Sequence, residues 1–236
     1  YVNLFAGNTS TIKVQGKDVV LEETTEYPWN GDVKISVKKS GVKNANLLVR
    51  IPGWVRNQVV PSDLYKYSDA EKPAYNVTVN GKAVEADLNA NKGYLPVKNI
   101  KKGDVIRIHF DMPVRTVVAN NSVADDKGKV AVERGPLVYC AEAVDNANEP
   151  VLRAVVAKKP TFTLVDNYSI QNTETKGASA FSVKAIKTDA QVLEENGNGV
   201  SVKNQNLTLI PYYAWNHRGA NQMNVWFIQN LSMLDK

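Results

Sequence analysis

The side chains best able to do chemistry in this chain are few, and their spacing keeps them apart. Three adjacent carboxylate pairs occur: Glu22-Glu23, Asp125-Asp126 and Glu194-Glu195. Cleaving a glycosidic bond takes two carboxyls about 5–10 Å apart across a sugar. Neighbours on a strand point to opposite faces, so Glu22 and Glu23 cannot share a cleft. Asp125 and Asp126 lie in a loop before Gly128, where turn chemistry accounts for both. Glu194 and Glu195 flank an Asn-Gly-Asn-Gly run and read as surface. The two histidines, His109 and His217, are far apart and share no metal-ligand spacing. Cys140 follows Leu137, Val138 and Tyr139 in an apolar strand with no base nearby, so it reads as a buried structural thiol. One thiol makes neither an intrachain disulfide nor a cysteine metal cluster. A phosphate-binding Gly-rich loop and a Gly-x-Ser-x-Gly elbow are both missing from the sequence. No residue is assigned a catalytic role, and no cofactor is expected in this stretch.

The aromatic residues offer binding rather than catalysis. Trp29 and Trp54 sit beside Pro28 and Gly53 at strand ends, and Tyr212, Tyr213 and Trp215 follow Pro211. Such rings stack on sugars when exposed, dock a neighbouring domain, or fill a sandwich core. These five are the candidates for domain docking or sugar stacking. Trp226, between Val225 and Phe227, is read as core.

The elements that must position these rings are strands. Val33, Ile35 and Val37 alternate with Lys34 and Ser36; Ile106, Ile108 and Phe110 alternate with Arg107 and His109. The same period recurs at 75–79, 161–165, 181–186, 200–202, 207–212 and 224–228, each run bounded by Gly, Pro, Asn or Asp. Asn80-Gly81 is a hairpin signal, because both residues accept the positive φ of a type I′ turn. A second hairpin is expected around Gly16, and a turn at Lys101–Asp104 that feeds the next strand. No window holds a helical period for three turns; the nearest, 61–70, has room for one or two turns inside a polar insertion. Polar loops are expected at 171–178 and 194–199. The fold class is all-β: two antiparallel, jelly-roll-like β-sandwich domains at 1–118 and 119–236, with a strand exchange near 119–140 blurring the cut.

Composition narrows the partners. The 236 residues are 43% hydrophobic and 22% charged, enough apolar content for a packed core. The formal charge of +5 comes largely from lysine pairs scattered over turns, without the clustered basic stripe that nucleic acid requires. No apolar run approaches the roughly 20 residues of a membrane-spanning helix. Neither nucleic acid nor membrane is expected as a partner. The start at Tyr1-Val2-Asn3, without Met or leader, reads as the middle of a strand in something longer.

Several segments together resemble the C-terminal half of the bacterial β-L-arabinofuranosidases of glycoside hydrolase family 127. They include Tyr1–Gly7, Thr25–Gly31 with its Tyr27-Pro28-Trp29, Leu48–Trp54, Met112–Arg115, Val130–Tyr139, Leu209–Trp215 and Asn216–Gly219. Their order spans nearly the whole chain. The resemblance implies an upstream (α/α) barrel that holds the active site, with a cysteine nucleophile, glutamates and zinc, followed by two β-sandwiches. This chain matches the sandwiches only. The implied function is a non-catalytic region supporting that barrel, its partner in the same chain. Carbohydrate is a further partner if the exposed rings form a binding module, and a purely structural or adhesive sandwich pair is a third reading. The polar insertion near 57–73 is longer than the resemblance leads one to expect. A polysaccharide degrader of this kind implies a periplasmic or secreted location.

Overall fold

The computed structural model describes residues 1–170, 180–196 and 199–230, with side chains throughout these except at 194–196, 199 and 200. In chain order the strands are β1 (Asn8–Val14), β2 (Lys17–Thr25), β3 (Asp32–Ser40), β4 (Leu47–Arg50), β5 (Tyr65–Tyr67), β6 (Tyr75–Val79), β7 (Lys82–Ala83), β8 (Tyr94–Val97) and β9 (Val105–Phe110). There follow β10 (Val114–Ala119), β11 (Lys129–Arg134), β12 (Leu137–Glu142), β13 (Ala154–Val156), β14 (Phe162–Ile170), β15 (Phe181–Asn196), β16 (Gly199–Pro211), β17 (Met223–Asn224) and β18 (Phe227–Ile228). Among the described residues the only helical elements are short 3₁₀ turns. The all-β class expected from the alternation holds.

The chain divides into two compact units, 1–61 with 70–113, and 62–69 with 114–236. The cut falls after Pro113 rather than after 118, because β10 pairs along β11 from Val114↔Arg134 to Val118↔Val130. Residues 119–140 stay in the second unit; the segment that changes unit is 62–69, which was read as having room for helical turns and instead contains β5.

The first unit has a six-stranded antiparallel sheet, ordered β1-β2-β3-β9-β6-β7, and a two-stranded sheet, β4-β8. Alternation selects the buried face: Val33, Ile35, Val37, Ile106, Ile108, Phe110 and Val77 are all buried, while Arg107 and His109 are exposed. Leu47 and Val49 of β4 and Leu95 and Val97 of β8 are buried likewise. The β6–β7 turn carries φ values of 51° at Asn80 and 80° at Gly81, as a type I′ hairpin requires. The β1–β2 hairpin turns at Gln15 and Gly16 with φ of 50° and 74°.

In the second unit a sheet runs β17-β12-β16-β15-β13-β18-β11-β10-β5, with β14 also on β15. Its core gathers Val130, Val132, Tyr139, Val156, Ile186, Val192, Leu207, Leu209 and Phe227. The strands expected at 181–186, 200–202 and 207–212 belong to one long hairpin, β15–β16, paired in unbroken register from Ile186↔Leu209 to Asn196↔Gly199. The loop expected at 194–199 falls at its end, where 197 and 198, like the loop at 171–178, lie outside the described residues, as do the Glu194 and Glu195 side chains. Trp226 is half-buried between β17 and β18 rather than core, because the chain bends there and the ring stacks on Tyr65.

Gly31 marks the tightest approach in the first unit. A Cβ there would lie 1.9 Å from the Phe110 carbonyl oxygen and 2.8 Å from its carbon. Gly31→Ala must push β3 off β9 and should cost roughly 2–3 kcal/mol in urea unfolding.

Candidate functional site

The most built-up polar site lies in the second unit, beneath the loop that follows β16. Glu142 ends β12 and Asp145 follows in a 3₁₀ turn; their side chains are 0% and 3% exposed. Arg218, 7% exposed, reaches both. Its Nη1 donates to Asp145 Oδ1, and its Nη2 donates to Glu142 Oε2 and, at 2.5 Å, to Asp145 Oδ2. The remaining lone pairs are served by neighbours. Tyr168 donates its hydroxyl to Asp145 at 2.8 Å, and Glu142 Oε1 accepts from the Asn216 amide at 3.2 Å and the Asn221 side chain at 3.1 Å. Asn146 completes the support by bridging the Glu142 and Thr208 backbones. Burial works against the charge, yet the hydrogen bonds to Asp145 and Glu142 hold the Arg218 guanidinium above its ordinary range.

This cluster fixes a turn that displays aromatic rings. Asn216 and Gly219 adopt left-handed backbone, φ 67° and 81°. Trp215 packs against the small core of Cys140, Ile170, Val183, Ile210 and Ala214. Tyr212 and Tyr213, on the 3₁₀ turn before it, are 45% and 48% exposed. Cys140 is buried, and desolvation first, with the Glu142 and Asp145 charges second, pushes its thiol up to about 12. It is no nucleophile at neutral pH.

The first unit has its own aromatic corner. Tyr27 precedes a cis peptide bond to Pro28, and Trp29 follows with 46% of its surface exposed. Trp54 is only 7% exposed, which removes it from the stacking candidates. Its Nε1 donates to the Tyr27 hydroxyl at 3.1 Å, and its ring meets Phe110 at 5.8 Å. Of the five ring candidates, then, Trp29, Tyr212 and Tyr213 are each about half exposed, with Tyr212 tilted against Trp215 at 5.9 Å, while Trp215 is half-buried and Trp54 is core.

Several carboxylates elsewhere are engaged. Glu22 points outward to Lys38 at 2.7 Å while Glu23 points inward, so the adjacent pair is split across the sheet. His109 bridges Asp32 at 2.7 Å and Asp111 at 3.1 Å, and the Asp32 hydrogen bond above all holds its imidazolium charged above the ordinary histidine range. Sequence reasoning placed His109 on the open face but missed this bridge, whose carboxylates lie at the start of β3 and just beyond β9. Among the described residues no three His, Cys, Asp or Glu side chains gather closely enough to hold a metal ion.

Comparison with known proteins gives this architecture a family. Residues 1–112 match the model described as "Beta-L-arabinofuranosidase, GH127 middle domain", and residues 114–228 match the "Glycoside hydrolase family 127 C-terminal domain". The chain belongs to glycoside hydrolase family 127. A curated relative, the non-reducing end β-L-arabinofuranosidase of Bifidobacterium longum subsp. longum, is 29% identical over 94% of this chain and 32% of its own length. A solved GH127 β-arabinofuranosidase is 44% identical, with a TM-score of 0.87 over 98% of this chain and 35% of its own. The GH127 β-L-arabinofuranosidase of Geobacillus stearothermophilus T6 is 27% identical, with a TM-score of 0.73 over 96% of this chain and 33% of that one. The chain thus spans about a third of the length of the relatives it matches. The two family models meet where the two units divide.

Two predictions follow for this GH127 region. Arg218→Met strands two buried carboxylates and should cost about 3–5 kcal/mol. Urea unfolding at neutral pH tests it. Glu23, 9% exposed, accepts one hydrogen bond, from the Ala6 amide at 3.1 Å, and desolvation pushes its carboxyl up to about 7 from 4.5. Its contribution to stability is therefore fully present below pH 4.5 and is lost as pH rises through 7. Glu23→Gln should stabilise the protein by about 2 kcal/mol at pH 8 and change little at pH 4, read from melting curves at each pH.

Proposed function

We propose that this chain is the non-catalytic β-sandwich region of a glycoside hydrolase acting on β-L-arabinofuranosides, and that it supports an (α/α) barrel elsewhere in the same protein. The observation that carries this reading is the match to both GH127 models over nearly the whole chain, at about a third of the length of relatives named as β-L-arabinofuranosidases. The state of the carboxylates agrees with it. Glu142 and Asp145 are buried under Arg218, and Asp32 and Asp111 are taken up by His109, so neither pair is poised across an open sugar site. The role assigned to the open rings of Trp29, Tyr212 and Tyr213 is to dock the barrel, since large amphipathic rings bury much area at little entropic cost.

A second reading has one observation in its favour. Tyr212 and Tyr213 are adjacent and each about half exposed, as rings that stack on sugars are. One pair of assays separates the readings. The purified chain should release no nitrophenol from a nitrophenyl β-L-arabinofuranoside, while the longer protein that contains it should. Turnover by the chain alone would overturn the supporting role. Saturable binding of arabinose-containing oligosaccharides, abolished by Tyr212→Ala with Tyr213→Ala, would transfer the rings to a binding module.

A further inference from the structure

The segment 62–69 leaves the first unit's sequence and adds an edge strand to the second unit's sheet. Tyr65 and Tyr67 alternate in β5 and so share one face, and Asp69 follows in the bend just beyond it. Each meets a dedicated partner. Tyr65 stacks on Trp226 with ring centroids 5.6 Å apart and donates its hydroxyl to Asp126 at 3.4 Å. Tyr67, 6% exposed, lies under the Arg115 guanidinium, whose carbon is 3.5 Å from the ring centroid, and donates to Glu133 at 2.9 Å. Asp69 accepts from Arg115 Nη2 at 2.6 Å. The backbone is held as well. β5 pairs with β10 at Val117↔Tyr67, Val118↔Lys66 and Ala119↔Tyr65. Beyond the pairing, the Asn120 amide donates to Leu64 at 2.7 Å and the Ser68 amide to Thr116 at 2.9 Å, while the Ser68 and Thr116 hydroxyls bond each other.

We infer that β10 with Arg115, Glu133 and Trp226 forms a receptor groove for an extended aromatic–x–aromatic–x–acid segment, and that residues 62–69 fill it as a donor strand. The folding unit of the second sandwich is then not the contiguous stretch 114–228 covered by the family's C-terminal model, which leaves this segment out. Two costs follow from its removal. β10 becomes an open edge with unpaired backbone groups. Arg115, 6% exposed, loses Asp69 and the face of Tyr67 together. Because strand addition draws its affinity from main-chain pairing and its specificity from alternate side-chain pockets, the groove accepts the same segment supplied as a separate peptide.

The test blunts the donor in the full chain by Tyr65→Ser, Tyr67→Ser and Asp69→Ser, then titrates it against a fluorescein-labelled peptide of residues 60–71, read by anisotropy. The peptide should bind saturably to the blunted chain. Binding should be at least tenfold tighter than that of the same peptide carrying Tyr67→Ser, and at least tenfold tighter than binding to the unaltered chain, whose groove is filled. Equal binding of the two peptides, or equal binding to the two chains, would overturn the inference. Should the blunted chain not fold, hydrogen exchange on the unaltered chain decides. Amides of 62–69 should open together with 114–119 and exchange at least tenfold more slowly than those of 70–74. Exchange of 62–69 at the rate of 70–74 would overturn it.

Discussion

The second sandwich depends on buried guanidinium groups that grip carboxylates from distant parts of the chain. Arg218 reaches back to Glu142 and Asp145, and Arg115 to Asp69, each across more than forty residues. Among the described residues there are no α-helices, and beyond tight hairpins such as β1–β2 and β6–β7 many elements are placed by pairing over long sequence distance. A buried ion pair adds little net stability over an apolar replacement, but breaking one is costly. What such a pair can add is specificity. A carboxylate with a fixed partner allows one position for the loop that bears it, where an apolar side chain would accept several.

Much of the fold was legible because one face of each sheet is apolar. Val33, Ile35 and Val37 point inward because water excludes them, and the same rule places Ile106, Ile108 and Phe110 opposite. Asn80-Gly81 was readable because few other residues accept its backbone angles. What escaped were features whose cause lies far away in sequence. β5 has three residues in a polar stretch, and nothing local announces that Tyr67 will lie under Arg115. The β15–β16 hairpin looked broken because polar residues such as Asn204 and Asn206 interrupt the apolar pattern in the middle of a strand that backbone pairing carries through. Trp54 and Trp226 differ from expectation for a similar reason. The hydroxyl of Tyr27 lets Trp54 bury its N–H, and a bend after Asn224 leaves Trp226 half-buried against Tyr65.

The site was legible only in outline. The segment Asn216–Gly219 stood out as part of the family resemblance, yet its task became visible only with Glu142 and Asp145 beside it. Arg218 secures the turn that displays Tyr212 and Tyr213, so a buried charge network and an exposed aromatic surface form one device.

The central claim is that these buried pairs, and not merely the burial of their side chains, hold distant segments in place. A double-mutant cycle on Arg218→Met and Glu142→Gln, followed by urea unfolding at pH 7, tests it most directly. The account predicts a coupling energy of roughly 2 kcal/mol or more, because Arg218→Met strands Glu142, while Glu142→Gln takes from Arg218 one of its two carboxylates. Additive losses, equal to within about 0.5 kcal/mol, would contradict it and leave Arg218 as ordinary packing.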